Sequence, residues 1–203
     1  MSGAAERRPG PGRPPTGARE RILAAALEVL KSDAYAGLTI AKVAARAGEN
    51  KALIAYHFGS KQGLVAAAGR ALGEQVTEAV TDAVGEPDSV EGVVRGALDG
   101  IWALMDRDVR VARVYFDLSA VSVVEDEVRE VMHAERTRWR GVLLDLLRRA
   151  DPTLSRVRAE AIAVLISAGV GGLALERVES GDARPLRRAR ELFVRSVVAV
   201  AQS

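Results

Sequence analysis

The sequence contains no cysteine, which excludes a disulfide framework, a thiolate zinc site and a cysteine nucleophile together. Histidine is almost as scarce: only His57 and His133 occur, far apart in sequence. No HExxH, GxSxG or phosphate-loop pattern is present. The GVGG run at 169–172 lies inside an apolar stretch with no strand before it, so it lacks the context of a nucleotide loop. Carboxylates are plentiful but fall at positions expected on exposed helix faces. These absences argue against an enzyme, and neither a cofactor nor a metal is expected. Arg7 and Arg8 are not followed by an apolar run, so the N-terminus does not read as a signal peptide and the chain is expected in the cytoplasm.

What is present is a chain of 203 residues, 48% of them hydrophobic, enough to bury a sizeable core in one domain or two small ones. The net charge of +2 hides an asymmetry. Residues 1–63 carry ten Lys or Arg against five Asp or Glu, and residues 64–203 carry 19 against 22. The positive half is where phosphates would be met, although on charge alone a merely solvated basic face explains it equally well.

The opening MSGAAERRPGPGRPPTG is too rich in Pro and Gly for a stable helix, and residues 1–15 are expected to form a disordered basic arm. Arg7, Arg8 and Arg13 suit a narrow minor groove; the alternative is a tail with no specific role. From Ala18 the period becomes helical, with Ile22, Leu23, Ala26, Leu27 and Leu30 on one stripe and an end near Asp33.

The stretch 39–61, TIAKVAARAGENKALIAYHFGSK, reads as a helix-turn-helix. Thr39 caps a helix whose Ile40, Val43 and Ala44 face inward while Lys42 and Arg46 face out. Gly48 suits the left-handed conformation at the turn, and Asn50 caps a second helix with Leu53, Ile54 and Phe58 inward. Lys42, Lys51 and Lys61 carry charge for phosphates, and Tyr56 and His57 carry hydrogen-bond donors. Another helix starts near Ser60, offering free backbone N–H groups. Base readout is thin: Asn50 and Lys51 can hydrogen-bond, and Ala52 and Ala55 can touch thymine methyls, so DNA shape is expected to carry much of the specificity.

Through ILAAALEVL, TIAKVAARAG and ALIAYHFGSKQGL the chain resembles the TetR family of transcriptional regulators, over about residues 18–71. The resemblance implies an all-α homodimer whose N-terminal domain binds palindromic double-stranded DNA and whose C-terminal domain binds a small molecule. It implies phosphate contacts from Thr39, Tyr56, His57 and Lys61, with Asn50, Lys51, Ala52 and Ala55 toward base edges. Glu49 departs from the family, which usually has an apolar residue just after the turn Gly. Either the turn is looser here or Glu49 is turned outward.

A fourth helix is expected to run to about Val84, ended by Gly85, Glu86, Pro87 and Asp88. The expected division is a DNA-binding domain at 16–76 and a helical ligand-binding and dimerisation domain at 77–203. Within the latter, residues 161–175 are apolar all round except for Ser167. The run is shorter than the ~20 residues of a membrane span, so no membrane partner is expected. It reads instead as a helix buried on two sides, the second against another copy of the chain. Ile162, Ile166, Gly169 and Leu173, with Phe193 and Val197 of the last helix, are the expected dimer contacts, an ordinary internal core being the alternative.

Trp102, Met105, Tyr115, Phe116, Met132 and Trp139 are expected to cluster at a cavity for a hydrophobic or aromatic ligand, with Asp117, His133 and Ser167 as its polar groups; plain core packing is the alternative. Taken together, the sequence predicts a homodimeric repressor released from its operator by a small ligand. A helical small-molecule sensor without DNA binding is the runner-up.

Overall fold

A computed structural model describes residues 17–203, so the expected basic arm at 1–15 lies outside the described residues. Among these the chain forms nine helices and no strand. They are α1 (Ala18–Gly37), α2 (Ile40–Ala47), α3 (Lys51–Phe58), α4 (Lys61–Val84), α5 (Val90–Arg107), α6 (Arg110–Val121), α7 (Asp126–Ala150), α8 (Arg156–Ser180) and α9 (Arg184–Gln202). Small polar side chains start most of them. Thr39 Oγ1 accepts from the Lys42 N–H at 3.2 Å, Asn50 Oδ1 from that of Leu53 at 2.8 Å and Ser60 Oγ from that of Gly63 at 3.0 Å. Each satisfies one of the N–H groups that a helix start leaves unpaired.

The expected end of the first helix near Asp33 is met by a break: Ala34 has φ 58° and ψ −177°, a region normally left to glycine. One further turn follows before Leu38.

Two apolar cores result. In the first, Ile22, Ala26 and Leu30 of α1, Val43 of α2, Ile54 of α3 and Leu64, Ala68 and Leu72 of α4 pack with Val114 and Leu118 of α6 and Met132 of α7. In the second, Val80 at the far end of α4 joins Val94, Leu98 and Trp102 of α5, Leu143 and Leu147 of α7, Ile162 and Ile166 of α8 and Val197 of α9. Helix α4 therefore belongs to both. It crosses α5 at very short range, for a Cβ placed on Gly100 would lie 2.5 Å from the Ala79 carbonyl oxygen and 2.7 Å from Val80 Cα.

Helix α8 is 25 residues long, longer than its apolar run suggested, and by length and composition it is long and apolar enough to cross a membrane. It nevertheless places Ala159, Ile162, Ala163, Ile166 and Val170 in the second core.

Candidate nucleic-acid interface and effector cavity

The α2–α3 turn is tightly closed. Gly48 takes φ 66° and ψ 30°, and the Glu49 N–H reaches back to the Ala44 carbonyl at 3.0 Å, the long bond of a Schellman end. Sequence reasoning left two outcomes for Glu49, a loosened turn or an outward carboxylate, and neither occurs. Glu49 folds back onto α1, its carboxylate 2.6 Å from Arg21 Nη2, and only 11% of the side chain is exposed. The ion pair takes the place of apolar packing and removes a bare negative charge from the edge of the basic surface.

On α3, Ile54 is buried while Lys51, Ala52, Ala55 and Tyr56 are exposed, Tyr56 at 72%. With Asn50 and Thr39, also exposed, they present one open face, the geometry a recognition helix needs. Three of the expected contacts are partly engaged elsewhere. Lys42 Nζ pairs with Asp33 at 2.9 Å, and Asp33 is held below the usual carboxylate range by that hydrogen bond; an exposed pair of this kind is weak and exchangeable for a phosphate. Lys61 Nζ sits 4.3 Å from the centre of the Tyr35 ring. His57 is half-buried between Tyr56 and Phe58, and its Nε2 is enclosed with no hydrogen-bond partner. A phosphate contact through Nε2 therefore requires the ring to turn. Arg19, 5.6 Å from the Phe58 ring, is an exposed cation beside α3 that the helical pattern of α1 did not single out.

Tyr35, just past the break in α1, ties this unit to the rest of the chain. Its N–H donates to Asp117 Oδ2 at 2.6 Å, and its hydroxyl donates to Glu125. Burial, then the Glu125 hydrogen bond, pushes the phenol up to about 12. Asp117 was expected at the ligand cavity. It turns the opposite way, because Tyr115, Phe116 and Leu118 occupy the cavity side of α6.

The cavity lies between α4, α5, α6, α7 and α8, and the empty space there, about 960 Å³, includes open solvent. Of the expected lining residues, Met105, Tyr115, Phe116, Met132 and Trp139 are on its wall, as is Ser167. Trp102, Asp117 and His133 are not. Trp102 is buried under two guanidinium groups, Arg190 at 4.3 Å and Arg177 at 5.3 Å from its ring. His133 is exposed, because the cavity face of α7 runs through Met132, Glu135, Arg136 and Trp139, with helical spacing that His133 breaks. Sequence reasoning missed Glu135 as a wall group. It also missed the contribution of α4, which supplies Gly69, Leu72, Gly73 and Val76.

The expected dimer residues differ in how far the single chain already covers them. Ile166 has 0% exposure, Ile162 and Val197 are as deeply buried, and Leu173 and Phe193 pack against the same core. Gly169 serves that internal packing too, since a Cβ there would lie 2.2 Å from the Phe193 ring. Ile162, Ile166 and Val197 are thus enclosed by their own chain, whereas Gly169, Leu173 and Phe193 stay half-buried on it. The large apolar residues left open on α8 and α9 are Val157 (78%), Val164 (44%), Leu165 (39%), Leu175, Leu192 and Val200.

Residues 22–68 match the family described as bacterial regulatory proteins, tetR family, and residues 90–202 match the BetI-type transcriptional repressor, C-terminal, family. The chain is 31% identical over 179 residues to the HTH-type transcriptional regulator CymR of Pseudomonas putida, covering 84% of each. It is 28% identical over 156 residues to the regulator BetI of Stenotrophomonas maltophilia, covering 73% of this chain and 76% of that one. Among solved structures, a TetR-family regulator from Rhodococcus sp. superposes with a TM-score of 0.77 at 22% identity, over 92% of this chain and 99% of that one. Fold and matches together define a helix-turn-helix transcriptional regulator, a DNA-binding protein and not an enzyme. The chain belongs to the TetR family.

Proposed function

We propose that this regulator is a cytoplasmic homodimeric repressor that holds a palindromic operator and is released by a small hydrophobic or aromatic molecule. One observation carries the reading: α4 starts at the Ser60 cap beside α3 and forms a wall of the cavity through Gly69, Leu72, Gly73 and Val76. A ligand in the cavity therefore bears on the element that carries the DNA reader. Thr39, Lys42, Tyr56, His57 and Lys61 meet phosphates, and Asn50, Lys51, Ala52 and Ala55 face base edges. Residues 16–76 read DNA and lend the α4 wall of the cavity, while residues 77–203 hold the second copy and the rest of the ligand site.

Tyr115, Phe116 and Trp139 supply flat apolar surface for the ligand, and Glu135 and Arg136 offer its polar group an acceptor and a donor. Linkage makes ligand and operator weaken each other by one factor. The exposed apolar strip on α8 and α9 supports dimer formation and leads to two readers, whose separation must match about 34–36 Å on B-DNA.

Selection of bound duplexes from a random-sequence pool tests the reading. Enrichment of a palindrome with two half-sites one helical turn apart is expected. If nothing enriches, the helical sensor without DNA binding is the better description.

A further inference from the structure

Besides Glu135, the cavity wall carries Tyr115, Arg136, Trp139 and Ser167 as its side chains with nitrogen or oxygen. None of these four makes a hydrogen bond or an ion pair with another described residue. The Tyr115 and Ser167 hydroxyls can donate, the Trp139 indole and the Arg136 guanidinium can only donate, and the guanidinium offers several N–H groups. The hydrogen-bonding capacity left over on the wall is therefore mostly donation.

The charges on the wall are unequal in the same sense. The Glu135 carboxylate is only 8% exposed, and Arg138 Nη1 donates to its Oε2 at 3.0 Å. Burial raises its carboxyl, while Arg138 and then Arg70 act against that rise and Glu74 adds slightly to it. Its charge is thus already met from outside the cavity. Arg136 has no such partner. Its neighbours one turn away on α7 are Met132, His133, Trp139 and Arg140, so no carboxylate stands at the spacing that forms ion pairs along a helix. On the same helix Arg129 and Arg138 do have one, in Asp126 and Glu135. Arg140, half-buried one turn further on, is a second guanidinium without an acid partner among the described residues, and its Nε is enclosed with no acceptor. An occupant of the cavity meets one uncompensated positive charge against walls of Met105, Phe116, Met132 and Trp139.

We propose that the effector is a small aromatic carboxylate, bound as its anion with the carboxylate on the Arg136 guanidinium and the ring against Phe116, Met132 and Trp139. The planar fork of a guanidinium matches two carboxylate oxygens at once, and the remaining donors suit a group that only accepts. A cationic occupant is opposed by Arg136 and finds its one counter-charge, Glu135, already paired. The inference deepens the regulator reading above and rests on it for the role of effector; the binding itself involves no DNA.

The test is isothermal titration calorimetry on the full chain without DNA. The probes are benzoate, 4-butylbenzoate and 2-naphthoate, each beside its primary amide and the corresponding arylmethyl amine. At least one carboxylate is expected to bind, roughly tenfold or more tighter than its amide and its amine, the share of a charge-assisted contact. Arg136→Gln is expected to bring that carboxylate down to the affinity of its amide, and Arg136→Lys to keep part of the difference, because the charge stays and the fork is lost. Glu135→Gln should hold the carboxylate at least as tightly as wild type. Melting of the unliganded Arg136 variants should match wild type, since no ion pair is lost. Binding of no carboxylate, a preference for the amine, or an Arg136→Gln chain that holds the carboxylate as wild type does would each overturn the proposal. Failure of the regulator reading looks different: the wild-type chain then enriches no duplex while the carboxylate still binds.

Discussion

Replacing Val164 and Leu165 together by Glu is expected to leave a folded monomer that has lost its operator. Both side chains are open on the single chain, at 44% and 39%, so the substitutions bury no charge inside the protomer and its helix content should be unchanged. In a dimer built on α8 and α9 the same two positions would bring four carboxylates into an apolar seam, where each unpaired charge carries a heavy desolvation cost. Sedimentation should then report a mass near the 21.6 kDa of one chain in place of twice that value. Operator affinity should fall by about a hundredfold or more, from the specific toward the non-specific range, because one reader no longer helps the other bind. A variant with the wild-type mass and affinity would show that copies meet elsewhere.

Gly100→Ala is the second large effect, and it acts on the fold. The added methyl group meets the Ala79 carbonyl oxygen at 2.5 Å and the Val80 backbone at 2.7 Å, and backbone atoms cannot swing aside as a side-chain tip does. Helices α4 and α5 must separate at the heart of the second core, a cost of about 2 kcal/mol for overpacking. In a chain of this length that lowers the melting midpoint by roughly 4–8 °C. Gly141→Ala in α7 is the matched control. Nothing lies within 4 Å of a Cβ there, so loss of glycine's flexibility should stabilise the helix by about 0.5–1 kcal/mol. Equal melting of the two variants would contradict the close crossing.

Much of the architecture is legible in the sequence because the signals at helix ends are local. Thr39, Asn50 and Ser60 cap the helices that their positions announce, and Gly48 adopts the one conformation that closes the turn. Gly85, Glu86, Pro87 and Asp88 separate α4 from α5 as expected. The break at Ala34 leaves no comparable mark, since it is imposed by Tyr35 reaching Asp117 and Glu125, more than eighty residues away.

The face that a helix turns to the core is less legible in the sequence than the helix itself. Helix α8 is apolar nearly all round, so its pattern does not say which stripe enters its own core. Ile162 and Ile166 do, and Val164 and Leu165 do not. On α6 and α7 a shift of one position separates Phe116 from Asp117 and Met132 from His133, and only the packing decides which faces the cavity. Glu135 did leave a trace: it is the carboxylate in a helical stripe otherwise made of Val128, Met132, Trp139, Leu143 and Leu146. Glu49 departed from the expected apolar residue, and its partner Arg21 lies 28 residues earlier, beyond any local pattern.

The central claim is that the open face of α3 reads DNA, and Lys51→Ala combined with Tyr56→Phe tests it most directly. Both side chains are exposed, so the fold should be untouched. Measured on the enriched duplex over a series of salt concentrations, affinity should fall and the salt slope should drop by about one unit, the share of one lost phosphate contact. An affinity and a slope equal to those of the wild-type chain would contradict the docking of α3 on DNA.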